Sequence, residues 1–270
     1  PAPQPPRPAT GGPTLTILCG LQNAYTVSGH VQVVRVPRFA NLTVNTATTV
    51  VPALWDGTIG GVVALEVNGN LTLNGTGKIL ASGYGFRGGV CDTQTAGSPP
   101  SAASNVGYCA SDLAIEGAEK GEGIGGFYTE YDALYSRYCK SAPANGGGGG
   151  GNHNSGGGGG SNVGTGAYTG KGNPQAYAAI WNLESAGFGG STSSGGGRGG
   201  YSYSTSNQNE SVTGPNNTAW SGDYRRSEGG LGGHPLTYSS TRLFMGGGGG
   251  AGDANSNPTQ GGNGGRGGGI

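Results

Sequence analysis

Alternating apolar and polar positions are concentrated in the first third of the chain. Short β-strands are predicted over residues 14–19, 31–36, 41–46, 62–67, 70–73 and 78–81. Turn pairs Asn68-Gly69 and Asn74-Gly75 separate the later runs. Because the strands are short and the corners tight, the pattern predicts an all-β fold, with a β-solenoid or a compact sandwich over 14–81.

The rest of the chain divides into three further segments. Residues 1–13 (PAPQPPRPATGGP) form a proline-rich arm, for which polyproline II is the expected conformation. Residues 82–145 are a cysteine- and tyrosine-rich insert, in which the three-to-four spacing of TEYDALYSRYCK predicts one short helix over 129–140. Residues 146–270 are dominated by glycine runs. We therefore expect an arm, 1–13, followed by a single glycine-rich β domain, 14–270.

The glycine runs at 146–151, 156–160 and 246–250 have comparable lengths, and larger residues interrupt them. Ordering a glycine backbone costs about 1–2 kcal/mol per residue, so another interaction must offset this cost. Segments without side chains can approach closely and exchange backbone hydrogen bonds in the threefold geometry that polyglycine II shares with polyproline II. The 146–270 half is therefore predicted to be a layer of stacked polyglycine II segments, with flexible linker as the alternative.

Composition narrows the choice of partners. The chain holds 63 glycines, and its 14 basic and 14 acidic side chains balance to a net charge of zero. Nucleic acid is a poor partner for such a chain, because affinity for it rests on neutralising phosphates. No run approaches the roughly 20 apolar residues of a membrane span. Because the sequence begins at Pro1 and ends in Gly-Gly-Gly-Ile270, we expect a processed fragment of a longer precursor.

Cysteine usage indicates an oxidising compartment. The chain has four cysteines without the close spacing of a zinc site, and an even number in a Gly/Ser/Asn-rich chain favours disulfides. The preferred pairing is Cys91–Cys109 with Cys19–Cys139, because Cys91 and Cys109 flank one loop; the other connectivities stay open. Candidate N-glycosylation sites are Asn41, Asn70, Asn74, Asn209 and Asn216.

Several stretches match chemical motifs weakly. Residues 121–126 (GEGIGG) satisfy a dinucleotide-binding pattern without its strand and helix, and 253–257 (DANSN) resembles the start of a calcium loop without its closing Glu. The acidic residues Asp112, Glu116, Glu119 and Glu122 are expected to lie on a solvated loop. His30, His153 and His234 are isolated, and the Arg-Gly-Gly sites at 87, 198 and 266 are expected at the edge of a glycine layer. We predict no catalytic residue, metal or cofactor.

Two stretches carry a resemblance to a known family. The first runs from HVQVVRVPRFANLTVNTATTVV through GGVVALEVNGNLTLNGTGKILASGYGFRGG, and the second comprises RLFMGGGGGAGDANSN and GGNGGRGGGI. Together, over roughly residues 30–90 and 240–270, they resemble the large glycine-rich cell-surface proteins of myxobacteria and related bacteria, some of which are named for adventurous gliding motility. The resemblance implies a cell-surface or extracellular location and an adhesive or matrix-like role, and it supplies no catalytic residues.

These observations favour a non-enzymatic extracellular protein. The first hypothesis is a self-assembling homo-oligomer or polymer, a subunit of a filament or surface matrix held by β and polyglycine packing. The alternative is an adhesin that binds a cell-surface glycan or another surface through aromatic side chains such as Tyr203 and Trp220. A β-helical polysaccharide-degrading enzyme is a third reading, which would need a groove with convergent carboxylates.

Overall fold

A computed structural model describes residues 21, 23–25, 31–91, 117–126, 137–151, 155–161, 199, 229–253 and 262–270. The chain divides into two compact units, Pro1–Gln32 and Val33–Ile270. All elements below belong to the second unit. Within the described residues the regular elements are strands, with no helix, in agreement with the all-β prediction.

Six short strands form three separate parallel pairs. The strands are β1 (Arg38–Phe39), β2 (Leu42–Val44), β3 (Thr49–Val50), β4 (Glu66–Val67), β5 (Leu71–Leu73) and β6 (Lys78–Ile79). Each strand of the first strand set, β1–β3, pairs with its counterpart in the second strand set, β4–β6: β1 with β4, β2 with β5 and β3 with β6. The two strand sets are therefore paired in parallel and in the same order.

Polar residues at the corners keep the two strand sets in register. The side-chain carbonyl of Asn41 accepts a 2.8 Å hydrogen bond from the N–H of Asn70, 29 residues further along the chain. The Thr76 hydroxyl accepts one of 3.0 Å from the N–H of Ala47, which has φ 63°. In both strand sets a main-chain bond closes the turn, from Thr48 to Asn45 and from Gly77 to Asn74.

We predict that Asn41→Ala lowers the free energy of unfolding by about 1 kcal/mol, the usual contribution of one hydrogen bond. The substitution leaves the Asn70 N–H without its side-chain acceptor. Chemical denaturation monitored by circular dichroism measures the change. The matched control is Asn45→Ala, in the same strand set, because Asn45 contributes to its turn through its main-chain carbonyl. Equal losses in the two variants would contradict the assignment.

The sequence-based strand predictions are partly confirmed. The predictions over 41–46, 70–73 and 78–81 contain β2, β5 and β6, while only the end of 62–67 is a strand, β4. Residues 31–36 are described and form no strand, and β1 and β3 were not predicted. The predicted strand 14–19 lies outside the described residues, as does most of the predicted helix 129–140. Residues 137–140, its described end, are not helical.

Few large apolar side chains are buried among the described residues. Val44, Trp55 and Phe86 are buried, and the rings of Trp55 and Phe86 meet edge to face with centroids 6.0 Å apart. Phe86 lies in a stretch, beginning at Gly85, whose main chain bonds to glycine segments distant in sequence. The aromatic pair therefore marks the place where strand pairing gives way to glycine packing.

Candidate functional site: the glycine bundle

Seven glycine-rich segments pack against one another and are called here the glycine bundle. They are residues 84–90, 117–122, 139–151, 155–161, 229–234, 246–253 and 262–269. Segment 246–253 makes main-chain hydrogen bonds to several of the others. The backbone N–H and C=O groups of the bundle are hydrogen-bonded to one another. Their burial therefore does not leave them without partners.

The donors of segment 246–253 follow a period of three. Every third N–H donates to the antiparallel segment 262–268, in the pairs Gly246–Gly268, Gly249–Gly265 and Gly252–Gly262. The next residue of each triplet donates to 155–161, in the pairs Gly247–Ser161, Gly250–Gly158 and Asp253–Ser155. The remaining residue donates to 119–122, in the pairs Gly248–Glu122 and Ala251–Glu119. Consecutive residues thus bond in three different directions.

The carbonyls of the same segment accept from two further segments. The N–H groups of Phe86 and Gly89 donate to the carbonyls of Gly246 and Gly249. The N–H groups of Gly147 and Gly150 donate to Gly248 and Ala251. Again the donors on each neighbour are three residues apart. Segment 246–253 is therefore surrounded by neighbours that hold it through main-chain bonds of about 2.7–3.3 Å.

Close approach explains why these positions carry no side chain. A Cβ on Gly248 would overlap the carbonyl oxygen of Arg87, and one on Gly250 would overlap that of Gly148. At Gly249, between them, the nearest atom to a built Cβ is the Gly265 nitrogen at 3.4 Å, an ordinary contact. Whether a position requires glycine therefore depends on which neighbouring segment its Cα faces. Gly249 is therefore a position in segment 246–253 with space for a methyl group.

A buried carboxylate joins the glycine bundle to the aromatic pair. Glu122 is 4% exposed and accepts hydrogen bonds from the indole N–H of Trp55 (2.9 Å) and the main-chain N–H of Arg87 (2.9 Å). The Arg87 guanidinium forms an ion pair with it, with Nε 3.0 Å from Oε2 and Nη2 3.2 Å from Oε1. Since both carboxylate oxygens are engaged, the charge is compensated where it is buried.

A second buried carboxylate is also compensated by an arginine and a main-chain N–H. Glu119 is 1% exposed, forms an ion pair with Arg137, and accepts a hydrogen bond from the main-chain N–H of Val90. The prediction that the acidic stretch is a solvated loop is therefore wrong for Glu119 and Glu122. The prediction failed because it did not consider arginines distant in sequence, which form ion pairs with these two carboxylates. Asp112 and Glu116 lie outside the described residues.

Arg87 and Arg266 hold residues 55–56, which lie between the two strand sets, to the glycine bundle. The Arg87 guanidinium donates a hydrogen bond of 3.1 Å to the main-chain carbonyl of Asp56. The Arg266 guanidinium donates one of 2.9 Å to the main-chain carbonyl of Trp55. Trp55, Phe86 and these arginines were not identified together from the sequence. The sequence feature that could have placed both arginines beside glycine segments is their Arg-Gly-Gly context. Arg198 lies outside the described residues.

The predicted disulfides involve two described cysteines. Cys139 is buried and Cys91 is half-buried, and the N–H of Cys91 donates 2.7 Å to the side chain of Asn263. Their predicted partners, Cys109 and Cys19, lie outside the described residues. The pairing Cys91–Cys109 with Cys19–Cys139 therefore stays a prediction.

Of the candidate glycosylation sites, Asn41, Asn70 and Asn74 are exposed near the ends of β2 and β5, while Asn209 and Asn216 lie outside the described residues. Glycosylation stays a prediction. The GEGIGG stretch contributes Gly121 and Glu122 to the glycine bundle and closes a tight turn with mutual bonds between Gly123 and Gly126. This is a structural use of the motif.

The remaining candidates are dispersed. The ring Nδ1 of His234 lies 2.8 Å from the carbonyl of Pro235. His30, His153, Asn255 and Asn257 lie outside the described residues, and Asp253 bonds to Ser155 within the glycine bundle. Within the described ranges no three His, Cys, Asp or Glu side chains converge as a metal site would require.

Comparison with known protein families, with characterised proteins and with solved structures finds no match for this chain. Within the described residues there is no helix that is long and apolar enough to cross a membrane.

Proposed function

We propose that this chain is a structural protein: an extracellular subunit of a filament or surface matrix, assembled through β and polyglycine packing. The observation that carries the proposal is the threefold hydrogen-bond periodicity of segment 246–253. In polyglycine II, with about three residues per turn, successive N–H groups point in three directions to different neighbours. We interpret the glycine bundle as this structure.

The strand sets fit the same reading as two turns of a β-solenoid. Their three parallel pairs have register offsets of 28–29 residues, shown by Arg38↔Glu66, Leu42↔Leu71 and Thr49↔Lys78. Both architectures extend by adding further segments that offer main-chain groups. A protein that is built mainly from such pairing is suited to mechanical and assembly roles. The family resemblance and the cysteine usage support an extracellular or cell-surface location.

We expect the purified full chain to form filaments or sheets when its concentration is raised, as negative-stain microscopy and analytical ultracentrifugation would show. Deleting residues 1–13 tests the arm, because polyproline II and polyglycine II share their pitch. If the arm inserts beside a neighbour's glycine layer, the shortened chain loses assembly. Unchanged assembly would refute the arm's role, and discrete monomers of the full chain would refute the structural proposal.

One observation favours the adhesin as a second candidate. Tyr238 and Leu243 are 58% and 67% exposed on either side of a turn that is closed by mutual main-chain bonds of Ser239 and Arg242. An exposed aromatic beside an aliphatic side chain is suited to sugar rings or to a protein surface. Glycan-array binding by the monomer, abolished by Tyr238→Ala, would favour this function; Tyr203 and Trp220 lie outside the described residues.

A further inference from the structure

The neighbours of segment 246–253 form a ring that is open on one side. Each neighbour bonds to the next through its main chain, in the order 262–268, 84–90, 119–122, 139–151 and 155–161. Among the described residues, no main-chain hydrogen bond joins the last of these segments back to the first. The space between them is called here the bundle groove. Segment 246–253 is its floor, and segments 155–161 and 262–268 are its two walls.

Two glycines of the floor face the bundle groove. Gly249 and Gly252 are half-buried, whereas Gly250, which lies between them, is buried. A Cβ built on Gly249 would lie 3.4 Å from the nitrogen of Gly265 and 3.5 Å from the carbonyl oxygen of Gly158. These atoms belong to the two opposite walls, and both are at ordinary contact distance. The floor is therefore accessible between the walls.

Two carbonyls of the floor point into the bundle groove. The N–H groups of Gly248 and Ala251 donate to 119–122, the middle neighbour of the ring, which lies opposite the groove. Because a trans peptide directs its C=O and N–H to opposite sides, the carbonyls of Gly247 and Gly250 point toward the groove. Both residues are buried, yet neither carbonyl has a hydrogen-bond donor among the described residues. A buried acceptor without a donor is costly, so these carbonyls indicate a site for a further N–H-bearing chain.

Both walls present N–H groups to the bundle groove. On one wall, carbonyls three residues apart accept from segment 229–234, on the side away from the groove, so the N–H groups of Gly157 and Gly160 point into it. On the other wall, the nitrogens of Gly262 and Gly265 are the wall atoms nearest to the Cβ positions of the floor glycines. Among the described residues, none of these four N–H groups has an acceptor. The walls therefore offer donors, and the floor offers acceptors.

The unpaired groups of the bundle groove repeat every three residues on each of its sides. An extended chain with three residues per turn presents groups at the same interval, roughly 9 Å. Such a chain can donate to the floor carbonyls with every third N–H while its other carbonyls accept from the two walls. The groove therefore matches one chain in the polyglycine II conformation.

We propose that the bundle groove binds one extended glycine-rich polypeptide with a Gly-Gly-Xaa repeat, supplied by a partner protein. The repeat follows from the space around an outer segment. In 262–269, Asn263 and Arg266 are exposed, whereas a Cβ on Gly264 or Gly267 would overlap a carbonyl oxygen of the floor. A chain that is held by the floor and both walls therefore has room for a side chain at one position in three.

The requirements of the groove distinguish a partner segment from other occupants. The groove holds its occupant on three sides, whereas the outer segments 155–161 and 262–268 of a second copy are each bonded to at least two neighbours of their own bundle. The proline-rich arm, 1–13, has no glycine in its first ten residues, and proline has no N–H to donate. A glycine-rich segment that is not part of a bundle meets both requirements. This inference rests on the polyglycine II interpretation given under the proposed function, but not on self-assembly.

Peptide binding tests the proposed ligand. The probe is fluorescein-labelled Gly-Gly-Asn-Gly-Gly-Asn-Gly-Gly, titrated with the full chain at concentrations where ultracentrifugation finds no assembly, and fluorescence anisotropy is measured. The control peptides are the same sequence with alanine at every glycine position and a peptide of residues 1–13. Saturable binding is expected for the glycine peptide alone. Absence of saturable binding, or equal binding of any control peptide, would overturn the proposal.

Gly249→Ala tests the location of the site. Its methyl group would lie in the bundle groove with the nearest atom at 3.4 Å, so the fold is expected to be kept, as circular dichroism would verify. The affinity for the glycine peptide is expected to fall by about 10–100-fold, because the methyl group overpacks the contact. Gly252→Ala, at the second floor position, is expected to act in the same way. Thr72→Ala, exposed on β5, is the matched control and is expected to bind normally. Unchanged affinity in both floor variants would contradict the assignment.

The outcomes separate this inference from the proposed structural function. Filaments whose subunits bind no glycine peptide overturn the groove and leave the structural function standing. Monomers that bind the peptide support the groove and overturn the structural function. If Gly249→Ala disperses filaments of the protein alone, a second copy occupies the groove, and the partner segment is overturned.

Discussion

Gly250→Ala is expected to destabilise the protein by about 3 kcal/mol, at the upper end of the cost of overpacking a full interior. The added methyl would overlap the carbonyl of Gly148. The N–H of Gly250 also bonds to Gly158, so the segment cannot move aside without weakening bonds in other directions. Thermal unfolding monitored by circular dichroism is expected to show a midpoint roughly 6–12 °C lower.

The adjacent residue provides the control. Gly249→Ala has the same composition change in the same tract, yet its methyl meets the Gly265 nitrogen at 3.4 Å and no closer atom. It also removes the same backbone freedom from the unfolded chain, so conformational entropy does not distinguish the two variants. We expect its midpoint to stay near that of the unsubstituted protein. Equal destabilisation by both variants would contradict the directional packing.

This pair of positions shows how far the sequence could predict the glycine bundle. Tract lengths and the entropic cost of ordering glycine predicted close main-chain packing of segments that carry no side chains. They could not identify which segments meet. Gly250 bonds to Gly158, and Gly89 to Gly249, across long sequence separations. Since glycines are chemically identical, one tract cannot be matched to another without side-chain patterns that distinguish them.

The strand sets were more predictable because their side chains differ. Alternation located β2, β5 and β6, whereas β1 and β3 lie outside every run of alternating apolar and polar positions that was predicted as a strand. The strongest available signal was a repeat. Asn41-Leu-Thr and Asn70-Leu-Thr recur 29 residues apart, and the hydrogen bond between these asparagines has the same spacing. Recognising that repeat would have predicted the parallel pairing directly.

The buried carboxylates show the opposite limit. Acidic residues in a glycine-rich chain are normally solvated, and only the fold brings Arg87 to Glu122 and Arg137 to Glu119. Composition shows that the numbers of acidic and basic residues are equal over the chain. It does not show that two ion pairs are buried in the interior. For this reason the sequence placed these carboxylates in solvent, and their structural role became apparent from their contacts.

That role leads to the last prediction: Glu122→Ala is expected to lower the free energy of unfolding by about 3–5 kcal/mol, the usual cost of removing one partner from a buried ion pair. The substitution leaves the Arg87 guanidinium without its carboxylate and the Trp55 indole N–H without its acceptor. Urea denaturation followed by tryptophan fluorescence measures the loss at a site that includes the reporter.

Glu66→Ala is the matched control, because the pair between Arg38 and Glu66 has a similar 2.7 Å separation but lies on the surface. Surface ion pairs contribute only about 0–1 kcal/mol, so this variant is expected to unfold almost as the unsubstituted protein does. Glu122→Gln separates charge from hydrogen bonding, since the amide oxygen can still accept from Trp55. We expect its loss to be intermediate. If Glu122→Ala were as stable as Glu66→Ala, the buried carboxylate would not stabilise the contact of Trp55 with the glycine bundle.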